Sequence, residues 1–276
     1  MAFFLCFFVF FLASSATACD RCLHQSKASY FNKASALSSG ACSYGSLALD
    51  FSGGHLAAGV SSLFHDGAVV DSAIIIRKML NSTLDPEHQH QVRCKNQGLC
   101  TKEGTRVVLT DLNHNNQTDF VLSSRAFSAM AQKNMSQKIL KLGIVDIEYK
   151  RVPCEYKKQN LAVRVEESSK KSDYLAIKFL YQGGQTEIVG VDVAQVGSSR
   201  WTYMSRNHGA VWDTSRVPQG ALQLRLVVTA GYDGKWIWAK KVLPADWKNG
   251  VIYDSDVQIT DIAQEGCSPC DDDTWS

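Results

Sequence analysis

Two carboxylates are the first residues whose types and spacing suggest chemistry. Asp111 ends a strand-like run, Arg106–Thr110 (RVVLT), and Asp119 follows across a polar loop through Asn113–Asn116. Paired carboxylates facing a groove are what glycoside hydrolysis requires, because one protonates the leaving oxygen while the other activates water or attacks the sugar. The same residues suit a plainer role as turn and cap residues, since short acidic side chains accept hydrogen bonds from nearby backbone amides. The second chemically capable set is aromatic: Tyr174, Trp201, Tyr203, Trp212, Trp236, Trp238 and Trp247. Flat sugar faces stack on such rings, and a flat polymer wants several in line on a sheet. Trp236 and Trp238 share a strand face by their spacing and are expected in the core. His65, His88 and His90 have no Asp, Glu or Cys set at ligand spacing, so neither a metal site nor a cofactor is expected.

The context of these residues is secretory. Residues 1–18 (MAFFLCFFVFFLASSATA) have an apolar core and an Ala-x-Ala end, the pattern of a cleaved signal peptide. The run is too short to span a bilayer, which takes ~20 residues. Cleavage removes Cys6 and leaves Cys19, Cys22, Cys42, Cys94, Cys100, Cys154, Cys267 and Cys270, an even set that implies disulfides in a secreted chain. The two C-x-x-C pairs, Cys19/Cys22 and Cys267/Cys270, also have zinc-ligand spacing, but they lie at opposite ends of the chain and the route is oxidising. They are expected in disulfides, and the sequence leaves open whether the pairs cross-link the termini. Asn81, Asn116 and Asn134 head N-x-S/T sequons. A formal charge of +2 gives no concentrated basic footprint for nucleic acid and suits a neutral or mildly acidic polysaccharide.

The length allows two domains of ~100–130 residues. Residues 26–151 hold short strands among glycine turns, which reads as a small β-rich unit. Within it, Ser123–Leu142 places Phe127, Met130, Ala131 and Ile139 at helical spacing, with Ser123 or Ser124 as cap. Residues 155–261 show strand patterns at Leu161–Glu166, Tyr174–Tyr181, Thr186–Val193, Trp201–Met204, Ala221–Thr229, Lys235–Val242 and Val251–Ile259. Gly183-Gly184 and Asp233-Gly234 supply hairpin signals between them. Their alternation, clearest in LQLRLVV (Leu222–Val228), predicts an immunoglobulin-like two-sheet sandwich. The alternating stretch Leu142–Cys154 joins the two units, and residues 262–276 form an acidic Cys-containing tail.

Four motifs carry a resemblance to a known family. GIVDIEYKRVPC (Gly143–Cys154), ALSSGACSYGSLAL (Ala36–Leu49), RVVLTDLNHNNQTDFVLSSRAF (Arg106–Phe127) and WTYMSRNHGAVWDTS (Trp201–Ser215) together resemble plant expansins, nearest to the expansin-like A group. The resemblance implies a mainly β protein, with a six-stranded double-psi β-barrel domain across 26–151 and a carbohydrate-binding sandwich across 155–261. It implies that Asp111 lines the groove of the barrel. The family's His-Phe-Asp motif reads Asp119-Phe120-Val121 here, so its acid is displaced. On the sandwich the aromatic platform maps to Tyr174 and to His208, which stands where many expansins carry Trp; Lys178 and Arg206 are expected to add hydrogen bonds to sugar hydroxyls. Trp212 and Trp247 occupy positions the family buries.

One segment departs from the family. Between Asp66-Gly67-Ala68 and Gln91-Val92-Arg93-Cys94 stands 69–90 (VVDSAIIIRKMLNSTLDPEHQH), where two family cysteines and three glycines are absent. It reads like a translated intron edge or an alternative exon. By resemblance Cys94 and Cys100 pair locally, while the missing cysteines are the partners of Cys42 and Cys154, which are left unpaired or joined to each other. Loss of a native disulfide costs a small secreted domain ~2–5 kcal/mol, so the first domain is expected to be destabilised.

The function expected is that of a secreted, extracellular cell-wall protein, monomeric and free of membrane once cleaved. It binds cellulose or matrix polysaccharide and disturbs glucan contacts without hydrolysis. The alternatives are a glycoside hydrolase related to family-45 endoglucanases, which needs two groove acids, and a wall-binding form without loosening activity.

Overall fold

The computed structural model describes residues 22–31, 41–42, 44–64, 73–75, 93–96, 98–114, 116–229 and 234–263. The leader 1–18, Cys19, Cys267 and Cys270, Asn81, the three histidines 65, 88 and 90 and most of 69–90 lie outside these residues.

The architecture is mainly β, a double-psi barrel followed by a β-sandwich. The first sheet contains β1 (His24–Phe31), β2 (Leu56–Gly59), β3 (Ala73–Ile75), β4 (Arg93–Cys94), β5 (Arg106–Leu112), β6 (Phe120–Ser123) and β7 (Val145–Arg151). Six strands close a ring in the order β1-β6-β2-β5-β3-β7, with β7 returning to β1, while β4 extends from β7. Two pairings, β1 with β6 and β2 with β5, are parallel within an otherwise antiparallel ring. Val107, Val108 and Leu109 are buried on both faces of β5 because one side fills the barrel and the other is covered. Gly59 is required by packing, since a Cβ there would lie 2.8 Å from Leu109 Cδ1. The atypical segment takes part: Ala73–Ile75 pairs with β5 on one side and β7 on the other, so its backbone completes the ring.

Among the described residues a 3-10 helix (Gly45–Gly54) and three short α-helices accompany the barrel, α1 (Ser61–Phe64), α2 (Ser124–Ala129) and α3 (Ser136–Leu142). The single helix expected over Ser123–Leu142 is two. Thr101 N, in the loop after Cys100, donates to Met130 O, and Gln132 N donates to Leu99 O in that loop, both at 2.8 Å, and Asn134 adopts φ 67°. Those cross-chain bonds divert the backbone from the helical ladder. Ser123 caps α2, its Oγ accepting from Ala126 N at 3.2 Å. Phe127, Met130 and Ile139 are fully buried against the barrel. Cys94 and Cys100 form a disulfide beside this crossing. Cys22 is also disulfide-bonded. Cys42 and Cys154 are buried in the same core, and no bridge joins them to each other.

Beyond β7 the chain docks at once onto the second unit. Cys154 exchanges backbone bonds with Gly184 at 2.8 and 2.9 Å, and Arg151 forms a buried ion pair with Glu187 at 3.2 Å. The second sheet comprises β8 (Ala162–Val165), β9 (Leu175–Leu180), β10 (Ile188–Gln195), β11 (Thr202–His208), β12 (Val211–Thr214), β13 (Leu222–Val228), β14 (Lys235–Leu243) and β15 (Ile252–Asp254), in the order β14-β13-β10-β11-β12-β9-β8-β15. β11 passes from one half to the other, its first residues pairing with β10 and its last with β12. The halves fold face to face over one core, with Val163, Ile177 and Phe179 from one and Val191, Leu224 and Leu226 from the other. β12 was not expected from the sequence. Gly183-Gly184 makes no hairpin, because β9 pairs with β8 and β12 rather than β10.

Candidate functional site

The two groove carboxylates serve different partners. Asp111, near the end of β5, accepts through Oδ1 from Ala41 N at 2.5 Å and from Leu112 N at 2.8 Å. It therefore anchors the loop that carries Ala41 and Cys42. Asp119, just before β6, accepts from Ser26 Oγ at 2.6 Å. It lines an open polar pocket of about 360 Å³ with Lys27, Lys95, Asn116 and Asp146. In that pocket Lys27 Nζ lies 2.6 Å from Asp146 Oδ1, and this contact holds the Asp146 carboxyl below the usual carboxylate range. Val121 lies within β6, paired with Ser29 and Ala58, and brings no acid to the motif.

On the sandwich, one row of side chains is linked across the outer face of β9, β12 and β11. In β9, Leu175, Ile177 and Phe179 enter the core, so Ala176 and Lys178, and Tyr174 just before the strand, face outward. In β12, Trp212 is buried and Asp213 points the other way, opposite Ala176. Tyr174 Oη donates to Asp213 Oδ2 at 2.7 Å. Burial, and then the Asp213 carboxylate, push the Tyr174 hydroxyl up from its ordinary pKa, so it stays a protonated donor. Asn207 Nδ2 donates to the same oxygen, and its Oδ1 lies 2.8 Å from His208 Nδ1. A register shift between Arg206 and His208 turns His208 onto this face. Without such a bulge, strand alternation would aim it inward with Met204 and Arg206.

Tyr174 and His208 are thus brought together through Asp213 and Asn207, two residues that sequence reasoning missed. Asp213 was legible only once VWDT was seen as a strand with Trp212 inward. Lys178 corrects its expected role. It is 1% exposed, its Nζ lies 3.1 Å from Glu166 Oε2 and 5.6 Å from the Tyr44 ring centre, and burial pushes its pKa down against the pull of Glu166. A side chain so covered does not reach a surface sugar. Arg206 stacks over Trp212 at 4.4 Å and turns donors to Gly209 O, at 2.8 Å, and Ile188 O, so it braces the β11–β12 turn.

That turn meets the barrel. Gly209 has φ +52°, and a Cβ there would lie 2.9 Å from Cys42 Cα. Contacts therefore run without a break from Asp111 through Ala41 and Cys42 to Gly209 and His208, then through Asn207 and Asp213 to Tyr174.

The remaining aromatics divide differently from expectation. Trp212 and Trp247 are buried. Trp236 and Trp238 do share a face of β14, but it is the outer one, and they are 46% and 47% exposed. Alternation fixes that two residues lie together; it does not say which face meets the core. Of the sequons, Asn116 and Asn134 are exposed.

Comparison with known proteins agrees with these features. Residues 161–244 match the family model described as the expansin C-terminal domain. The chain is 58% identical over 275 residues to Expansin-like A2 of Arabidopsis thaliana, covering 99% of this chain and 98% of the relative. It is 60% identical to Arabidopsis Expansin-like A3, over 95% and 94% of the two chains, and 44% identical to Expansin-like A3 of Oryza sativa, over 94% and 91%. Among solved structures, the apo expansin of Clavibacter michiganensis superposes with a TM-score of 0.60 at 19% identity, covering 86% of this chain and 97% of that one. A variant of that protein in complex with cellohexaose superposes equally well.

Proposed function

The chain belongs to the expansin-like A group of the expansin family, and from that premise we propose that it is a secreted cell-wall protein that binds a wall polysaccharide without cleaving it. The observation that carries this reading is the unbroken line of contacts from Asp111 in the barrel to Tyr174 on the sandwich. A linear polymer laid over the seam that these contacts close would reach Tyr174 and His208 on one unit and the loop held by Asp111 on the other. The ring of Tyr174 supplies a stacking surface, and His208, Asn207 and Asp213 supply hydrogen-bonding groups for hydroxyls. The ligand expected is cellulose or a neutral matrix glycan, as cellohexaose is for the Clavibacter variant. The two working units are 26–151 and 155–261, and the protein acts as a monomer.

How the acids are used supports a reading without hydrolysis. Asp111 is occupied by two backbone amides and Asp119 by a serine hydroxyl in a separate pocket. Neither arrangement resembles an acid and a base held across one bond. Disulfides at Cys94–Cys100 and Cys22 support an oxidising, extracellular location, in keeping with the leader pattern at 1–18. Asn116 and Asn134 are proposed as glycan acceptors on exposed turns. Val121, at the position of the family's groove acid, favours a second reading in which the protein binds wall glycan but does not loosen it.

The test is creep of a heat-inactivated plant wall strip under constant load with the purified chain, with reducing sugar assayed in the same bath and binding to insoluble cellulose measured alongside. Binding with creep and no released sugar is the expected result. Binding without creep establishes the second reading, and release of reducing ends overturns both.

A further inference from the structure

The outer face of the other half of the sandwich carries a second aromatic surface. Pairing aligns Trp238 (β14), Arg225 (β13), Asp192 (β10) and Tyr203 (β11) in one row across four strands. Three strand spacings make this row ~14 Å long. Trp236 stands beside Trp238 and Trp201 beside Tyr203, all with the same outward parity. Tyr203 is 61% exposed, and Trp236 and Trp238 are each nearly half exposed. The Arg225 guanidinium lies 4.6 Å from the ring centres of both Trp201 and Trp236 and 5.6 Å from that of Trp238. Asp192 holds it through Nη2 and Nε at 2.7 and 2.8 Å.

This arrangement does two things. Arg225 takes up part of each indole, which fixes the rings and leaves the remainder in water, at a cost that large apolar side chains rarely bear without use. Asp192 neutralises Arg225, so the centre of the patch is a compensated ion pair between aromatic rings rather than a net charge. A surface of this kind does not select an ionic partner. It suits a neutral ligand with apolar faces and hydroxyl edges, the faces for the indoles and Tyr203, the edges for the Arg225–Asp192 pair.

We propose that Trp236, Trp238, Tyr203 and Arg225 form a second glycan-binding face, taking a neutral β-linked glucan chain on the side of the sandwich opposite Tyr174. The proposal rests on the reading of this protein as a wall-glycan binder. With two outward faces, one molecule bridges two polymer chains instead of lying on one.

Cellohexaose and insoluble cellulose are the probes, with the full mature chain, a Trp236→Ala/Trp238→Ala variant, a Tyr174→Ala variant and all three changes combined. In the wild type, saturating cellohexaose is expected to protect the exposed indoles from acrylamide quenching, a readout that needs no variant to fold. Tyr174→Ala is expected to keep this protection, and the tryptophan pair to lose it with about a tenfold fall in affinity for the probe at this face. The combined variant is expected to lose cellulose binding altogether. Indoles that stay fully quenchable at saturation overturn the second face, and if Tyr174→Ala then abolishes cellulose binding the first face stands. Cellulose binding untouched in every variant overturns both.

Discussion

The Tyr174 hydroxyl lies 2.7 Å from Asp213 Oδ2 and donates to it. Asp213 also accepts from Asn207, so one carboxylate fixes the orientation of a ring just before β9 and of a polar side chain on β11. The ring is positioned before any ligand arrives, which reduces the ordering cost of binding.

Tyr174→Ala is therefore expected to cost most of the binding of this face to cellulose. Tyr174→Phe keeps the ring but frees its orientation and leaves Asp213 with Asn207 alone, so it is expected to weaken binding only a few-fold, within ~1 kcal/mol. Depletion isotherms on insoluble cellulose separate the two. Equal losses from Phe and Ala would show that the hydroxyl, not the ring, makes the contact.

His208→Trp is expected to strengthen the same face. His208 is exposed, and the bulge before it already turns the side chain outward beside Asn207. A larger ring there adds stacking area at little cost to the fold, for a gain of about 0.5–1.5 kcal/mol. The same isotherm at unchanged melting temperature measures it, and an unchanged isotherm would place the ligand elsewhere on the sandwich.

Much of this surface was legible in the sequence, and its gaps have physical causes. Alternation in LQLRLVV, the helical stripe of Phe127, Met130 and Ile139, and the burial of Trp212 and Trp247 follow from local pattern and family motif. The outward turn of His208 depends on a bulge that no residue type announces. The burial of Lys178 follows from a long-range event, the docking of Tyr44 onto β9. Spacing puts Trp236 and Trp238 on one face, as the structure has them, but hydrophobicity points that face to the core while the sheet turns it outward.

The buried network around Lys178 predicts an asymmetry. Glu166 accepts from Lys178 at 3.1 Å and from Arg164 at 2.8 Å. Lys178→Met removes a buried charge and leaves Glu166 with Arg164, so its cost is expected to stay near 1 kcal/mol. Glu166→Ala leaves the Lys178 ammonium buried without its counter-ion and is expected to cost about 3 kcal/mol. Urea melts of the two variants decide, and equal costs would mean that water reaches Lys178.

His55 makes the barrel sensitive to acid. Burial, and then the nearby Arg125 guanidinium, lower its pKa below the ordinary 6.5, and its Nδ1 sits 3.1 Å from Thr105 Oγ1. With the folded pKa below the unfolded one, the unfolded chain takes up a proton that the native state refuses. The contribution is thus complete above about pH 6.5 and is lost as pH falls from there toward the folded pKa. Chemical melts between about pH 7.5 and 5.5 should show the wild type losing more stability than His55→Gln. Parallel slopes would remove His55 as the cause.

Gly209 tests whether the two units act as one surface. Its φ of +52° suits glycine, and a Cβ would meet Cys42 Cα, a backbone atom that cannot swing aside. Gly209→Ala therefore strains the turn and pushes the β11–β12 end away from the loop that Asp111 anchors, at about 1–2 kcal/mol. Tyr174, Asp213 and the sandwich core stay in place, so a short oligosaccharide that reaches only the sandwich should bind nearly as before. A long chain that lies across the seam should lose affinity, and any wall creep should fall with it. Measuring both ligands on one variant distinguishes a continuous surface from two independent ones: if long and short ligands weaken together, or neither does, the seam plays no part in binding.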